Sequence, residues 1–300
     1  MLRASPPFVM GPSPPFVRSS RGSMSYSLTY HAHVCSKKGE DRHAFLSVTL
    51  GVRAEPVLLV LVADGHGGSI ASAILAEQLL PLIAADAADA SIRELERAIA
   101  LAFTSMHVKI RARSSTAGST ATVIAISPSR GTITCGNVGD SYAFAFRRLH
   151  DSSPQNSCPL SLTKSHRLED DGGAKTAEAR RILAAGGKLA RVVRSNGKTA
   201  GPLRAWPGGL AMGRALGDAD CGDWLLASPS VFSCPLAPHG CDICLATDGI
   251  WDAVTLAESH ALIARWQPLA RSAKDLVDAA IRRKGCASTR SAALSAPTEF

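Results

Sequence analysis

Two acidic residues in this chain each follow an apolar run and are each followed by glycine. Val57 to Ala63 leads into Asp64-Gly65-His66-Gly67-Gly68, and Ile243 to Ala246 leads through Thr247 into Asp248-Gly249. A buried strand that delivers a carboxylate to its end holds it rigidly, and a following residue without Cβ lets backbone and water come close. Hard divalent cations such as Mg²⁺ and Mn²⁺ take oxygen ligands, which these segments supply. An isolated Asp-Gly is commonly just a turn. Two copies behind apolar runs, with the acidic pair Glu40-Asp41 upstream, favour a metal site.

The elements that must position these residues follow from periodicity. Strand-like runs, several rich in Val, Ile and Thr, occupy 44–50, 57–63, 120–126, 131–136, 141–147 and 243–247. Helical patterns rich in Ala, Leu, Ile and Glu span 69–88 and 91–112, and another runs from Ala174 to Ala185 before Gly186-Gly187. Two further helices are predicted at 255–266 and 273–283, with Pro268 in the break. Strands, then a helix pair, then more strands argue for an α+β fold rather than a parallel α/β sheet.

Composition narrows the function classes. With 300 residues, 46% of them hydrophobic, the chain can hold one large domain or two modest ones. Its apolar runs fall far short of the roughly 20 residues of a membrane helix, so no membrane partner is expected. Eight cysteines are scattered without scaffold-like spacing, which predicts reduced thiols. Cys241 and Cys244 form a C-x-x-C, but no second pair has zinc-finger spacing, so zinc is the weaker reading. The net charge of +8 could suit nucleic acid. However, Lys and Arg are dispersed, with few Tyr or Trp to stack on bases, and nucleic acid is not an expected partner. Attraction to phosphorylated, acidic proteins accounts for the surplus as well.

Residues 1–39 contain no acid, residues 1–23 are rich in Pro, Ser and Arg, and Ser5-Pro6-Pro7-Phe8-Val9 recurs as Ser13-Pro14-Pro15-Phe16-Val17. Such a segment buries too little surface to order itself, so residues 1–30 are read as disordered. An acid-free start with Arg and Ser also resembles an organellar transit peptide. The preferred reading is an upstream extension with a second start at Met24, and a cytoplasmic or nuclear location.

Further motifs lie in a fixed order. Gly118-Ser119-Thr120-Ala121-Thr122 opens one strand and Asn137-Val138-Gly139-Asp140-Ser141 closes the next. Then come Lys164-Ser165-His166-Arg167, Glu178-Ala179-Arg180-Arg181-Ile182, and Gly213-Arg214-Ala215-Leu216-Gly217-Asp218. With the two Asp-Gly segments, this series resembles the type 2C, or PPM, metal-dependent serine/threonine protein phosphatases, from about Glu40 to Ala253. The stretch Pro202 to Leu210 is most similar to a plant branch. The resemblance implies two antiparallel sheets packed as a sandwich, with helices on both outer faces and two Mg²⁺ or Mn²⁺ ions at one end. It implies hydrolysis of phosphoserine and phosphothreonine by a metal-bridging hydroxide, without a covalent intermediate. By that similarity Asp64 bridges the metals, Gly65 offers its carbonyl, and Glu40 and Asp248 each serve one ion. Asp41 supports the site, His66 is the general acid, and Asp218 is either supporting or a structural cap. Asn137 to Ser141 reads as a tight hairpin-like connection, His166 and Arg180-Arg181 as structural, and Arg214 as a buried ion-pair partner. The polar segment from Arg191 to Gly201 corresponds to a flap beside the active site.

Departures from the family pattern bear on activity. Ser36 stands where many members carry a phosphate-binding arginine, leaving Lys37 and Lys38 as candidates. A lysine serves phosphate as a point charge, without the guanidinium fork. Ser165 replaces an aspartate associated with a third metal site, and Gly213 stands where serine is usual. At the end, Lys284-Gly285-Cys286 is followed by an Ala/Ser-rich tail, not by the family's acidic pair and closing strand. The last strand is therefore expected to be missing. The predicted organisation is a segment 1–30, a phosphatase domain 31–286 and a non-family tail 287–300. Two functional readings stand: an active phosphatase acting as a monomer on phosphoproteins, or a weak or inactive relative that binds phosphoproteins or kinases.

Overall fold

The apolar run before Asp64 is unbroken because both faces of its strand are covered. Leu59, Leu61 and Ala63 pack with Leu75, Leu79, Leu95, Ile99 and Phe103 of a helix pair. The alternate residues Leu58, Val60 and Val62 pack with Ile133, Ala143, Ile243 and Leu245 between two sheets. Side chains alternate along a strand, so a run reads as continuously apolar only where both faces are buried.

The computed structural model describes residues 25–26, 28–35, 38–148, 157–238, 240–265, 269–284, 289–296 and 298–299. The disorder expected for residues 1–24, and Ser36 and Lys37, lie outside them. In chain order the longer strands begin with β1 (Thr29–Cys35), β2 (Arg42–Leu50), β3 (Glu55–Ala63), β4 (Ala121–Ser127), β5 (Thr132–Val138), β6 (Tyr142–Arg148) and β7 (Ser157–Ser161). They are followed by β8 (Lys188–Val193), β9 (Thr199–Trp206), β10 (Ser230–Pro235), β11 (Cys241–Ala246) and β12 (Thr289–Ala296). The longer helices are α1 (Ile70–Asp86), α2 (Ile92–Arg111), α3 (Ala177–Ala184), α4 (Leu256–Arg265) and α5 (Leu269–Lys284).

Two five-stranded sheets, ordered β10-β5-β4-β3-β2 and β7-β6-β11-β12-β1, face each other. The helix pair α1 and α2 covers the first sheet. Ile263 of α4 and Leu276, Val277 and Ala280 of α5 cover Phe146, Cys244 and Ala246 on the outer face of the second. The result is the expected layering of helices, sheet, sheet and helices. A smaller core of Leu168, Ile182, Ala205 and Trp224 supports the β8–β9 hairpin.

The structure corrects several expectations. The last strand is present: β12 pairs with β11 through Ser291 and Ala246, and with β1 through Thr289 and Cys35. A ladder is built from main-chain N–H and C=O groups, which Ala and Ser supply as fully as larger residues. The expected end of the domain at 286 therefore does not end the sheet. At the other terminus β1 begins at Thr29, inside the segment read as disordered, and Ser25–Tyr26 pairs with Thr298–Glu299. Residues Asn137 to Ser141 do not form a hairpin, because β5 and β6 belong to different sheets. Cys241 packs between the sheets and Cys244 against the outer helices, so these thiols face opposite ways and do not share an ion.

Candidate active site

Every connection that carries a candidate acid lies at one end of the sandwich. Arg42 pairs with Ala63, Ala121 with Val138, and Tyr142 with Ala246. Glu40-Asp41 sits where the chain crosses from β1 in one sheet to β2 in the other. Asp64 follows β3, Asp140 lies in the crossing from β5 to β6, and Asp248 opens the helical turn after β11. Antiparallel pairing gathers residues far apart in sequence at a shared rim.

Backbone bonds hold these acids in place. The Asp64 N–H donates to Thr120 Oγ1 at 3.0 Å, and its carbonyl accepts from the Thr120 N–H at 2.9 Å. Glu40 Oε1 accepts from the Gly68 N–H at 2.9 Å, while Ser72 donates to the Glu40 carbonyl. Arg42 ties down the same loop through the carbonyls of Gly39 at 2.5 Å and Asp41 at 2.7 Å. A Cβ on Gly65 would stand 2.5 Å from the Glu40 carbonyl, so this close approach requires glycine.

The electrostatics fit hard cations. Burial pushes the Asp64 carboxyl well above the usual carboxylate range. The charges of Asp41, Asp248 and Asp140, and a hydrogen bond with Asp41, push the same way. Asp248 is pushed up to about 6, first by burial and then by Asp140 and Asp252, against the opposing effects of Arg167 and Asp64. Its side chain keeps 39% of its surface open, so solvent tempers that rise. Crowded carboxylates that resist ionisation, offering only oxygen donors, match what a divalent cation relieves.

His66 stands beside this cluster, and its Nε2 lies 2.7 Å from Asp218 Oδ1. Asp218 is 2% exposed and adopts a left-handed conformation with φ 52°, fixed by its N–H donating to the Ala117 carbonyl at 3.0 Å. Asp218 precedes the short turn Ala219–Cys221, but its side chain makes no capping bond there and lies against His66 instead. Lys38 is exposed, its ammonium 3.9 Å from the Glu40 carboxylate.

Three residues at this rim were not among the sequence-derived candidates. Arg167 reaches Asp140 at 3.0 Å, Asp248 at 3.4 Å and Asp252 at 2.7 Å. Burial alone would loosen its proton, but the bond to Asp252 and the charges of Asp140, Asp252 and Asp248 reverse that and raise its pKa. Asp140 follows the mixed strand Thr132–Val138 and precedes serine, so the apolar-run and Asp-Gly signal that marked Asp64 was absent there. Asp252 lies one helical turn after Asp248, a spacing that places both on one face. Nothing local marks Arg167.

His166 is buried and structural, as expected. Its Nδ1 accepts from the Gly139 N–H at 3.1 Å, and its Nε2 lies 2.8 Å from Ser230 Oγ. Burial, assisted by Arg214, lowers its pKa to about 4. Arg214 is the ion-pair partner foreseen, meeting Glu178 at 2.9 Å, and Arg181 meets the same carboxylate at 2.8 Å.

The family model described as protein phosphatase 2C matches residues 21–289. The chain belongs to this family. A relative from Arabidopsis thaliana, "Probable protein phosphatase 2C 15", is 33% identical over 258 residues, which cover 83% of this chain and 56% of that protein. The chain spans about half the length of the curated relatives it matches. The serine-threonine phosphatase 2C from Toxoplasma gondii has a similar structure, with a TM-score of 0.71 at 19% identity, covering 95% of this chain and 98% of that one. The catalytic domain of the phosphatase PstP, solved with 2 manganese ions, gives a TM-score of 0.56 at 17% identity, over 92% and 100% of the two chains. At these identities the structural likeness bears on the phosphatase 2C fold.

Two departures from the phosphatase 2C pattern gain a physical account. A Cβ on Gly213 would lie 2.7 Å from Glu178 Oε2, so glycine there makes room for the carboxylate clasped by Arg181 and Arg214. Ser165 accepts from the Tyr142 hydroxyl at 2.7 Å and from the Arg167 N–H at 3.2 Å.

Proposed function

We propose that this chain is a protein serine/threonine phosphatase that acts on phosphorylated proteins with the help of divalent cations. One observation carries the reading: carboxylates from separate sheet-end connections converge at a single rim, beside a histidine held by a buried aspartate. Glu40, Asp64, the Gly65 carbonyl and Asp248 would hold Mg²⁺ or Mn²⁺, and the two manganese ions in the PstP catalytic domain support a pair. When bound, such ions supply Lewis-acid stabilisation and an activated water for in-line attack on phosphorus.

The chain's own residues account for the remaining steps. Asp41, hydrogen-bonded to Asp64, orients that carboxylate, as residues behind metal ligands commonly do. Lys38, exposed at the rim, meets the incoming phosphate as a point charge. His66 delivers a proton to the departing serine or threonine oxygen. With Nε2 on Asp218, the other ring nitrogen is left for that task. Asp218, 2.7 Å from Nε2, fixes the ring.

The test is hydrolysis of p-nitrophenyl phosphate by the full chain, titrated with Mn²⁺ or Mg²⁺ beside an Asp64→Asn control. Metal-dependent turnover that the control lacks is expected. A soluble, folded chain without turnover at high metal would sink the proposal and leave the phosphoprotein-binding alternative.

A further inference from the structure

The turn that begins at Asp218 carries donors that the acid step leaves unused. A carboxylate oxygen of Asp218, one of Asp220 and the Cys221 Sγ all lie within 4.8 Å of one another. Asp218 is 2% exposed, and its Oδ1 meets His66. Its Oδ2 is buried with no hydrogen-bond partner among the described residues. Neither Asp218 nor Asp220 is paired with a lysine or arginine among the described residues. Arg111 turns instead to His107 Nε2, at 3.4 Å.

We propose that Asp218, Asp220 and Cys221 form a separate cation site, suited to a thiophilic divalent ion such as Zn²⁺, and that an ion there loosens the hold of Asp218 on His66. Binding at this turn stands apart from the phosphatase reading above, and its effect on catalysis rests on that reading.

Three observations carry it. A buried carboxylate oxygen without a partner is costly, and a bound cation removes that cost. The donor set also selects the ion: sulfur suits Zn²⁺, whereas Mg²⁺ and Mn²⁺ prefer oxygen alone. Three protein donors leave the fourth tetrahedral position to water. Finally, the donors are fixed and within reach of solvent. The N–H groups of Asp218, Asp220 and Cys221 donate to the carbonyls of Ala117 at 3.0 Å, Ser115 at 2.9 Å and Asp218 at 3.1 Å. Asp220 is exposed and opens the site to solvent, while Cys221 is buried in the core that supports the β8–β9 hairpin. Burial, then Asp218 and Asp220, push the Cys221 thiol up to about 12, with Arg111 opposing. The thiol therefore keeps its proton until an ion displaces it to solvent as the metal–sulfur bond forms.

Cd²⁺ is the probe for binding, because its bond to a thiolate gives a charge-transfer band in the ultraviolet. It is titrated into the full chain, Cys221→Ala and Asp220→Asn, all with saturating Mn²⁺. The full chain should show a band that Cys221→Ala lacks and that Asp220→Asn develops only at higher Cd²⁺. Losing a partner behind a metal ligand already weakens binding by about 10–100-fold, so losing the Asp220 carboxylate should weaken it by at least about tenfold. Zn²⁺ then reads the consequence. With Mn²⁺ saturating, it should lower kcat on a phosphoserine peptide by about tenfold or more. On p-nitrophenyl phosphate the loss should stay below about threefold, because that leaving group needs no proton. Both variants should blunt the inhibition.

Equal bands in the full chain and Cys221→Ala, or no band in the full chain, would overturn the site and leave Oδ2 to a bound water. Zn²⁺ inhibition that is equal on both substrates, or untouched by both variants, would overturn the link to His66. If Cys221→Ala cannot be obtained folded, the exposed Asp220→Asn decides: an unchanged Cd²⁺ affinity refutes the site. A full chain without Mn²⁺-dependent turnover fails the phosphatase reading instead, and the Cd²⁺ band still tests the site.

Discussion

Asp218→Asn is the substitution that isolates the acid step. Asn and Asp are the non-glycine side chains that most readily tolerate left-handed backbone. The φ of 52° and the bond to the Ala117 carbonyl at 3.0 Å should therefore survive. What changes is charge. The contact between His66 Nε2 and Asp218 Oδ1 is 2.7 Å, with Asp218 2% exposed. A hydrogen bond to a charged partner contributes about 1.5–3 kcal/mol, which as lost transition-state stabilisation lowers the rate by about 10–150-fold. That loss should appear in full only where the leaving oxygen needs a proton. On a phosphoserine peptide kcat should fall by about that factor. On p-nitrophenyl phosphate, whose phenolate leaves unaided, it should fall by less than about threefold, since a general acid contributes only where proton transfer is part of the barrier. His66→Ala should reproduce the contrast more strongly, and adding Asp218→Asn to it should cost little more, because the two residues act as a unit. The assay is steady-state kinetics on both substrates at saturating Mn²⁺. Equal losses on both, or fully additive losses in the double variant, would refute the assignment of Asp218 as the residue that holds the acid.

Three other outcomes follow from the same geometry. Asp64→Asn should stabilise the fold in EDTA by roughly 1 kcal/mol of relieved repulsion, seen as a higher melting temperature, and should abolish stabilisation by added Mn²⁺; scanning fluorimetry reads both. His166, with its pKa lowered to about 4, refuses a proton that the unfolded chain accepts near 6.5. Its contribution is fully present above pH 6.5 and is lost as pH falls toward 4, by about 3 kcal/mol in total. Urea titrations across that window should show a shallower decline for His166→Asn than for the unaltered chain. Gly213→Ser should destabilise by about 1–3 kcal/mol through overpacking, because its Cβ meets Glu178 Oε2 at 2.7 Å; unchanged thermal stability would remove the steric explanation.

Sequence alone determined whatever is written in short stretches of chain. The apolar runs ending at Ala63 and Ala246, each delivering Asp-Gly, the pair Glu40-Asp41 and the helix patterns at 69–88 and 91–112 were legible because strand alternation and helix periodicity are local properties. Their order along the chain resembled one family strongly enough to imply the layered sandwich. The weaker strands were not legible: β8 and β9 are largely exposed, with Val192 and Val193 in solvent, so they show no alternation of apolar and polar residues. The tail read as a lost strand because it lacks the family's acidic pair and closing-strand pattern, yet β12 forms between β11 and β1, since pairing uses main-chain groups that every residue but proline supplies in full. Only the tertiary structure brought His66 against Asp218, 152 residues away, and turned Asn137 to Ser141 from an apparent hairpin into a crossing that carries Asp140 to the rim. Only it placed Arg167 among three carboxylates drawn from two connections. A charge's role depends on which other charges the fold brings within a few ångströms, and that distance is set by sheet pairing rather than by neighbours in the chain.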